Sequence, residues 1–379
     1  MAFPSAPLAS DNRNGLVDTL RGWALFSVVV MNYVTIFHWN NHGKEIETDK
    51  FSQNLESLLD LLLGSKGWTL LAVLFGFGFS SLMENRIRGQ QNTHGFFAKR
   101  MLWLFVFAFF NSIFFGGDIL NDYAFLGLVM LMFYRLKTRS IFASGMLFLL
   151  LTPLLQSFLG NLHLLFAPDD RDLFYSLYGE NNLYSSIKAN LFMRYKWLMR
   201  LSYSIIFHLV QLGCMLLGMY LHRIGFFMNI TFSKARRFFF SSLILSVLLQ
   251  LFQMMNDVKG WGVEKFYHLF YPPIIAVMIC TTSGLVWLYA AGKCKRIFFA
   301  LQQTGRMTLT NYVVQNMIAF VIFIFMRLDW SLSYYLLASV VVFVCQLFFS
   351  KWWMQQFQYG LLEWLWRCFS YGRLFKLKF

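Results

Sequence analysis

The sequence has little charge. Only 13% of its 379 residues are Asp, Glu, Lys or Arg, against roughly 25% in soluble domains. This deficit argues against an ordinary water-soluble surface, and a chain that is 58% apolar has the composition of a membrane protein. We therefore predict one integral-membrane domain over residues 1–379 rather than two or three soluble domains.

Cysteine and the common catalytic motifs are also scarce. The five cysteines lie far apart and form no C-x-x-C pair, so the sequence predicts neither a disulfide framework nor a cysteine metal site. It has no G-x-S-x-G, Walker loop or dinucleotide fingerprint. These absences remove the usual signatures of serine hydrolases, nucleotide hydrolases and dehydrogenases, and we expect no metal.

The net charge is +15, but the basic residues lie in short clusters between apolar runs. That pattern is typical of topology signals rather than of a nucleic-acid interface. We therefore expect the lipid bilayer, and no nucleic acid, as a partner, and the sequence leaves room for a homo-oligomer.

Ten apolar runs approach the ~20 residues that a membrane-spanning helix needs. They cover residues 22–37, 68–83, 101–115, 119–134, 141–158, 201–221, 238–255, 269–289, 309–326 and 332–349. The predicted fold is all-α, a polytopic transmembrane helical bundle of about ten spans. The positive-inside rule then predicts cytoplasmic termini, outer loops 38–66 and 159–200, and a basic cytoplasmic tail 351–379. Loop 159–200 has room for an amphipathic helix on the outer surface.

Polar residues within these runs are candidates for function, because a charge at bilayer depth costs ~2.5–3.5 kcal/mol on insertion scales. Asp18 and Arg21 are three residues apart and can pair, and Asn32 returns to nearly the same helix face about three turns later. Asn311 and Gln315 share a face in the ninth run. Helix capping and interhelical hydrogen bonds explain these residues without any catalytic role.

The stretch "FFGGDILNDYAFLG" places two carboxylates between apolar runs. Asp118 is expected to cap the fourth helix, where the helix dipole favours its charge. Asp122 lies one turn deeper, and capping does not explain it. We expect a cation, a water or a histidine as its partner. His208 is more simply interpreted as a satisfied core histidine, and Asn111 is the nearest polar residue before the stretch.

His38 and His42 follow the first run and are four residues apart, a spacing that suits a metal pair on a continuing helix. Asn40 and Gly43 indicate that the helix has ended, and no third ligand is evident. A histidine at a membrane surface is also a candidate general base, because its pKa lies near neutrality. An ordinary interfacial polar residue is the alternative.

Six blocks together resemble one family, the YeiB-like bacterial inner-membrane proteins, in that family's order along almost the whole chain. The blocks are "LVDTLRGWALFSVVVMN" (16–32), "WTLLAVLFGFGFS" (68–80), "GGDILNDYAFLGLVML" (116–131), "GCMLLGMYLHRIGF" (213–226), "GRMTLTNYVVQN" (305–316) and "FQYGLLEWLWRCFSYG" (357–372). The resemblance implies a multi-pass protein of the bacterial inner membrane. The family is distantly similar to transmembrane acyltransferases, including heparan-α-glucosaminide N-acetyltransferase and the O-acyltransferases of bacterial surface sugars.

That similarity implies acyl transfer from cytoplasmic acyl-CoA, such as acetyl-CoA, to an extracytoplasmic or lipid-linked acceptor. For the catalytic histidine the resemblance gives His42 as the nearest match and His38 as the second, and it matches Asn32 to the asparagine of the first helix. Asp122 and, as a further oxyanion donor, Asn311 are candidates from their polar positions within apolar runs. The phosphates of acyl-CoA are expected at basic residues of the predicted inner side, Arg21, Arg86, Arg88, Arg100 and Arg135. The alternative is a transporter, permease or lipid-handling protein that uses Arg21, Asp118 and Asp122 as substrate or proton sites.

Two departures from the family pattern bear on the site. YeiB-like proteins often carry a histidine just before the GDIL block, where this chain reads "FFNSIFF" with Asn111 as the closest polar residue. The usual proline after the glycine of the last block is Leu361 here. The first departure leaves open either a shifted catalytic site or the absence of this chemistry.

Overall fold

Helices account for nearly all the regular structure. The computed structural model describes residues 14–41, 50–162, 168–180, 182–325 and 330–378. Within these ranges the only β-type pairing is an isolated antiparallel bridge between Phe357 and Lys378. The predicted all-α fold is confirmed.

Fifteen α-helices are described. In chain order they are α1 (Gly15–Asn40), α2 (Lys50–Leu63), α3 (Lys66–Arg88), α4 (His94–Phe114), α5 (Leu120–Met130), α6 (Thr138–Asn161), α7 (Pro168–Gly179), α8 (Leu183–Phe192), α9 (Leu201–Arg223), α10 (Phe232–Lys259), α11 (Tyr271–Ala290), α12 (Lys295–Arg306), α13 (Thr308–Ala319), α14 (Leu332–Gln356) and α15 (Leu361–Tyr371). Two π-helical turns, Met193–Trp197 and Phe320–Phe325, directly follow α8 and α13.

Eight helical segments of the described chain are long and apolar enough to cross a membrane. They match eight of the ten predicted runs, and the fourth and ninth runs correspond to the shorter helices α5 and α13. The protein is therefore a helical membrane protein. Full crossing by α5 and α13, and the side on which the termini lie, stay predictions.

Helix α1 is buried along most of its length and packs against α3, α12 and α14. Its contact with α12 is made by backbones. A Cβ atom on Gly22 would overlap the carbonyl oxygen of Leu301, and one on Gly305 would overlap that of Asp18. Small residues at such a contact let two helices approach closely. Helices α3 and α9 use the same device at Gly76.

The segment 159–200 contains two short helices, α7 and α8. Helix α7 buries one face and exposes the other, as an amphipathic helix does, while the outer-surface position stays a prediction. Phe174 and Tyr178 of α7 are buried beside Trp39 at the end of α1, with ring centroids 5.4 and 6.1 Å from the Trp39 ring. Arg194, near the end of this segment, is only 1% exposed. This segment therefore covers one end of the bundle.

Candidate functional site

Two cavities lie towards opposite ends of α1. The larger, of about 820 Å³, is lined by residues near both ends of the described chain, including Asn14 and Lys376, and we call it the terminus-side cavity. The smaller, of about 250 Å³, is lined by Thr35 and Trp39 near the other end of α1, and we call it the far-side cavity. Tyr312 lines both.

Cations dominate the charge of the terminus-side cavity. They are Arg21, Arg100, Arg306, Arg367 and Lys376. The Arg100 guanidinium lies 3.6 Å from the centroid of the Trp366 ring, and that of Arg367 lies 4.5 Å from the centroid of Tyr359. Such stacking engages the face of a guanidinium rather than its in-plane N–H donors. The cavity is therefore suited to an anionic ligand.

Two carboxylates accompany these cations. Asp18 pairs with Arg21 at 2.8 Å, as the sequence predicts. Glu363 accepts hydrogen bonds from the backbone N–H groups of Leu309 and Thr310 at 2.6 and 3.1 Å, and so caps the start of α13. Burial raises the pKa of the Glu363 carboxyl against the opposing effect of these hydrogen bonds. Cations still outnumber carboxylates along the wall.

Three of the arginines expected to bind phosphate lie outside both cavities. The Arg86 guanidinium donates to the backbone oxygen of Asn92, and Arg88 pairs with Glu84 one helical turn away. Arg135 Nε donates to the hydroxyl of the adjacent tyrosine at 2.9 Å. Only Arg21 and Arg100 of the predicted set line the terminus-side cavity.

The remaining cavity cations were not singled out by the sequence analysis. Arg306 lies in the "GRMTLTNYVVQN" block, and Arg367 and Lys376 lie in the tail that was interpreted as a topology signal. The sequence feature that could have identified Arg306 and Arg367 is their position in blocks that resemble the family.

A buried cluster of charged side chains borders the far-side cavity. Arg194 makes a bidentate contact with Asp122, with Nη2 2.6 Å from Oδ1 and Nη1 3.1 Å from Oδ2. His208 Nε2 lies 2.8 Å from Asp122 Oδ1. Asp122 lies in the first turn of α5, Arg194 in the first π-helical turn and His208 in α9. The three residues meet only through tertiary folding. Asp122 thus has a histidine partner, one of the three partners that the sequence predicts.

The contact with Asp122 determines how His208 can act. A neutral imidazole beside a carboxylate carries its proton on the nitrogen that faces that carboxylate. Nε2–H then donates to Asp122, and Nδ1 holds the lone pair. His208 retains 17% side-chain exposure and lines the far-side cavity. The pair Asp122–His208 therefore has the arrangement of an oriented general base.

Side-chain amides connect the far-side cavity to the bundle interior. Asn32 Nδ2 donates to Asn316 Oδ1 at 3.1 Å, Asn316 Nδ2 donates to Asn111 Oδ1 at 3.2 Å, and Asn111 Nδ2 donates to Asp118 Oδ1 at 2.7 Å. This relay joins α1, α13 and α4. Asn316 was not among the predicted site residues, although it ends the "TNYVVQN" motif.

Asp118 behaves largely as predicted. Its Oδ2 accepts from the backbone N–H of Asn121 at 3.3 Å and from the Asn121 side chain at 3.0 Å. The carboxylate therefore caps the first turn of α5, although the residue directly before the helix is Ile119. Asp118 also lines the far-side cavity, together with Asp122 and Asn32.

His38 and His42 are the general bases that the sequence predicts beside the first span. His42 lies outside the described residues. His38 Nε2 lies 2.6 Å from Glu56 Oε1, and His38 lines neither cavity. Helix α1 ends at Asn40, as expected. Within the described part of the chain, no cluster of three or more His, Cys, Asp or Glu residues could hold a metal.

Asn311 and Gln315 belong to the packing of α13. Asn311 Nδ2 donates to Ser350 Oγ of α14 at 2.9 Å, which is the interhelical hydrogen bond that the sequence suggested as an alternative to catalysis. Gln315 is fully buried, and neither of its amide atoms has a hydrogen-bond partner. Neither residue lines a cavity, so the oxyanion role considered for Asn311 lacks a geometric basis.

Comparison with known proteins finds a matching family model and similar chains. The family described as "Protein of unknown function (DUF418)" matches residues 221–373. The uncharacterised protein YeiB of Escherichia coli strain K12 is 26% identical over 406 aligned residues, which cover 94% of this chain and 95% of YeiB. The chain is YeiB-like. The uncharacterised protein YxaH of Bacillus subtilis strain 168 is 25% identical, with 96% of each chain covered.

A third relative of this YeiB-like chain is the uncharacterised 39.9 kDa protein of the amylase 3′ region of Bacillus acidopullulyticus. It is 27% identical, covering 98% of this chain and 97% of the relative. No solved structure matches. In this YeiB-like protein Asn111 is the polar residue closest to the position of the family's histidine, and it contacts Asp118 and Asn316 but not Asp122. His208 is the histidine that Asp122 contacts instead.

Proposed function

We propose that the protein is a membrane acyltransferase. Acyl-CoA, such as acetyl-CoA, binds in the terminus-side cavity, and the acyl group passes to an acceptor in the far-side cavity. One observation carries this proposal: the two cavities approach from opposite ends of α1, and Ile119 and Tyr312 line both. Donor and acceptor sites would therefore adjoin within the bundle.

The terminus-side cavity suits the donor by size and by charge. Its volume of about 820 Å³ lies in the range of roughly 300–1,000 Å³ that is usual for cofactor pockets. The phosphates of acyl-CoA would meet Arg306, Arg367 and Lys376. Deeper in the cavity the wall becomes apolar, with Leu71, Leu74 and other hydrophobic side chains around the path of the thioester arm.

The far-side cavity supplies groups for the chemistry. The acceptor oxygen or nitrogen attacks the thioester carbonyl carbon, and its proton passes to Nδ1 of His208. Asp122 stabilises the imidazolium that forms, and the amide N–H of Asn32 is the candidate donor to the oxyanion. When the C–S bond breaks, the proton passes from His208 to the departing thiolate. Arg194 holds the Asp122 carboxylate in place through two hydrogen bonds.

The orientation follows from the distribution of basic residues. If the positive-inside rule holds, the terminus-side cavity opens to the cytoplasm of a bacterial inner membrane. Acyl-CoA would then enter from the side on which cells make it. The acceptor would enter from the opposite side or from the bilayer.

Acetyl-CoA binding by the purified full-length protein tests this proposal. We expect a saturable heat of binding in calorimetry and a higher melting temperature, with slow release of free CoA thiol when water replaces the missing acceptor. Addition of a membrane-sugar or lipid extract that contains the acceptor should accelerate thiol release. If calorimetry detects no acetyl-CoA binding and the ligand leaves the melting temperature unchanged, the proposal fails.

A transporter is the second candidate, and the buried cluster favours it. Asp122 and Arg194 are each 1% exposed beside a cavity, and ionisable groups buried at membrane depth often mark proton or substrate paths. Proton-coupled solute uptake into proteoliposomes, with no dependence on acyl-CoA, would support transport over acyl transfer.

A further inference from the structure

The wall between the two cavities is thin. Among the described lining residues, Ile119 and Tyr312 alone occur in both cavities. Both side chains are buried, with 8% and 3% exposure respectively. Any group that moves from one cavity to the other by the shortest route must therefore pass these two side chains.

The contact across this wall is weak. The backbone N–H of Ile119 donates to the hydroxyl oxygen of Tyr312 at 3.5 Å, which is long for a hydrogen bond. This hydrogen bond therefore adds little free energy to the closed wall. The Tyr312 side chain also hydrogen-bonds the side chain of Asn316, so a rotation of the ring that separates Tyr312 from Ile119 breaks one weak contact across the wall and must keep or replace the Asn316 contact.

The backbones on either side of the wall are held more firmly. Asn311, next to Tyr312, donates to Ser350 of α14 at 2.9 Å, and Gln346 of α14 donates to the Asn311 backbone oxygen at 2.8 Å. Asp118, next to Ile119, accepts from Asn111 at 2.7 Å. Since both backbones are fixed, the size and rotation of the Ile119 and Tyr312 side chains set the width of any passage between the two cavities.

We propose that Tyr312 and Ile119 form a septum that closes the passage between the cavities and limits the acyl group that crosses it to a short chain. Tyr312 is then a specificity-determining residue, and rotation of its ring opens the passage. The acyl-chain part of this inference rests on the proposed function. The barrier itself does not.

The first experiment measures the barrier without any acyl-CoA. Thr35, which lines the far-side cavity, is changed to cysteine in sealed vesicles whose termini face outward, as checked by protease removal of a C-terminal tag. A small membrane-impermeant thiol reagent, 2-sulfonatoethyl methanethiosulfonate, is added outside. Protein without Thr35→Cys gives the background from native cysteines.

We expect Tyr312→Ala to raise the rate of labelling at Thr35→Cys at least tenfold. Tyr312→Phe, which keeps the ring, should label as slowly as the parent. Equal rates in Tyr312→Ala and Tyr312→Phe would overturn the septum. Ile119→Ala opens the same wall from the other side and replaces Tyr312→Ala if that variant does not reach the membrane.

The second experiment measures the size limit, as thiol release from acetyl-CoA, butyryl-CoA and octanoyl-CoA. Tyr312→Ala should raise the ratio of octanoyl to acetyl turnover at least tenfold, while Tyr312→Phe leaves the ratio unchanged. Turnover with an unaltered ratio in Tyr312→Ala overturns the size limit, but the proposed function stands. A lack of acyl-CoA binding by every variant overturns the proposed function and the size limit together, whereas fast labelling in Tyr312→Ala still supports the barrier.

Discussion

The two cavities hold their charges in different ways. In the far-side cavity, Asp122 is fixed by Arg194 and His208 through contacts of 2.6 to 3.1 Å. In the terminus-side cavity, Arg100 and Arg367 lie over aromatic rings. The far-side cavity holds Asp122 in a tight pair with a cation, while the terminus-side cavity has more cations than carboxylates and places two of the cations on ring faces.

This difference corresponds to two physical tasks. Paired groups are preorganised, so they do not reorganise when charge develops on a reacting atom. The terminus-side cavity is lined by five cations and two carboxylates, so its net positive charge attracts an anion. The comparison therefore favours chemistry in the far-side cavity and anion binding in the terminus-side cavity.

The largest expected effect comes from removing the proposed base. His208→Gln should lower acyl transfer, followed as CoA thiol release, by about 100-fold or more, because general-base catalysis typically contributes 10²–10⁴-fold. His38→Gln is the matched control, since His38 pairs with Glu56 away from both cavities. Loss of activity in His38→Gln with normal activity in His208→Gln would assign the general base to His38, one of the two histidines that the sequence analysis proposed.

The next effect is on the free energy of folding, and it tests the pairing of Asp122 with Arg194. Asp122→Asn leaves the buried Arg194 guanidinium without its charge partner, which should cost about 3–5 kcal/mol of folding free energy. The melting temperature in detergent measures the loss. Asp172→Asn, at an exposed pair with Arg171, should change stability little. The double variant Asp122→Asn, Arg194→Met should recover much of the loss, and an unchanged melting temperature in Asp122→Asn would contradict the pairing argument.

A smaller effect tests the cations that lie over aromatic rings in the terminus-side cavity. Arg367→Ala should weaken acetyl-CoA binding about tenfold, since one charge-assisted hydrogen bond contributes about 1.5 kcal/mol or more. Arg373→Ala is the control, because Arg373 also lies over Phe375 but does not line the cavity. Calorimetry measures both dissociation constants. Equal weakening in the two variants would indicate a general loss of positive charge rather than a binding site.

The smallest effect concerns pH. Because burial raises the pKa of Glu363 in the folded protein, its protonated form is favoured there, and its stabilising contribution is lost as pH rises through that folded pKa. Glu363→Gln mimics the protonated form and should remove this loss. The melting temperature of the parent minus that of Glu363→Gln should therefore fall as pH rises above the ordinary glutamate pKa of about 4.3. Parallel melting curves above this pH would contradict the shift.

Much of the fold follows from the sequence, because long apolar runs have few structures available in a membrane. All ten predicted runs correspond to apolar helices, and the Asp18–Arg21 pair follows from helical spacing alone. The amphipathic helix α12 was not predicted, since its polar face lowers the mean hydropathy that identifies a run. Helix α2 lies in the predicted loop 38–66, and α7 and α8 lie in loop 159–200, where the sequence indicated room for one amphipathic helix.

The site is less predictable, because its partners come from distant parts of the chain. Helical periodicity shows that Asp122 faces inward, but no local pattern connects it to Arg194, which resembles the surface cations around it in sequence. The same is true of Asn316, whose amide joins Asn32 and Asn111 across three helices. Sequence identifies the buried polar residues here, and tertiary structure is needed to pair them.

The glycine contact between α1 and α12 has a consequence for the order of assembly. Gly22 and Gly305 meet backbone to backbone although most of the chain separates them. During synthesis α1 enters the bilayer long before α12 has been made. Until then the polar groups beside Gly22 must be covered by other proteins or by helices that are inserted early. The protein can therefore complete its interior only near the end of translation, and a chain that stops before α12 keeps its first helix without its permanent neighbour.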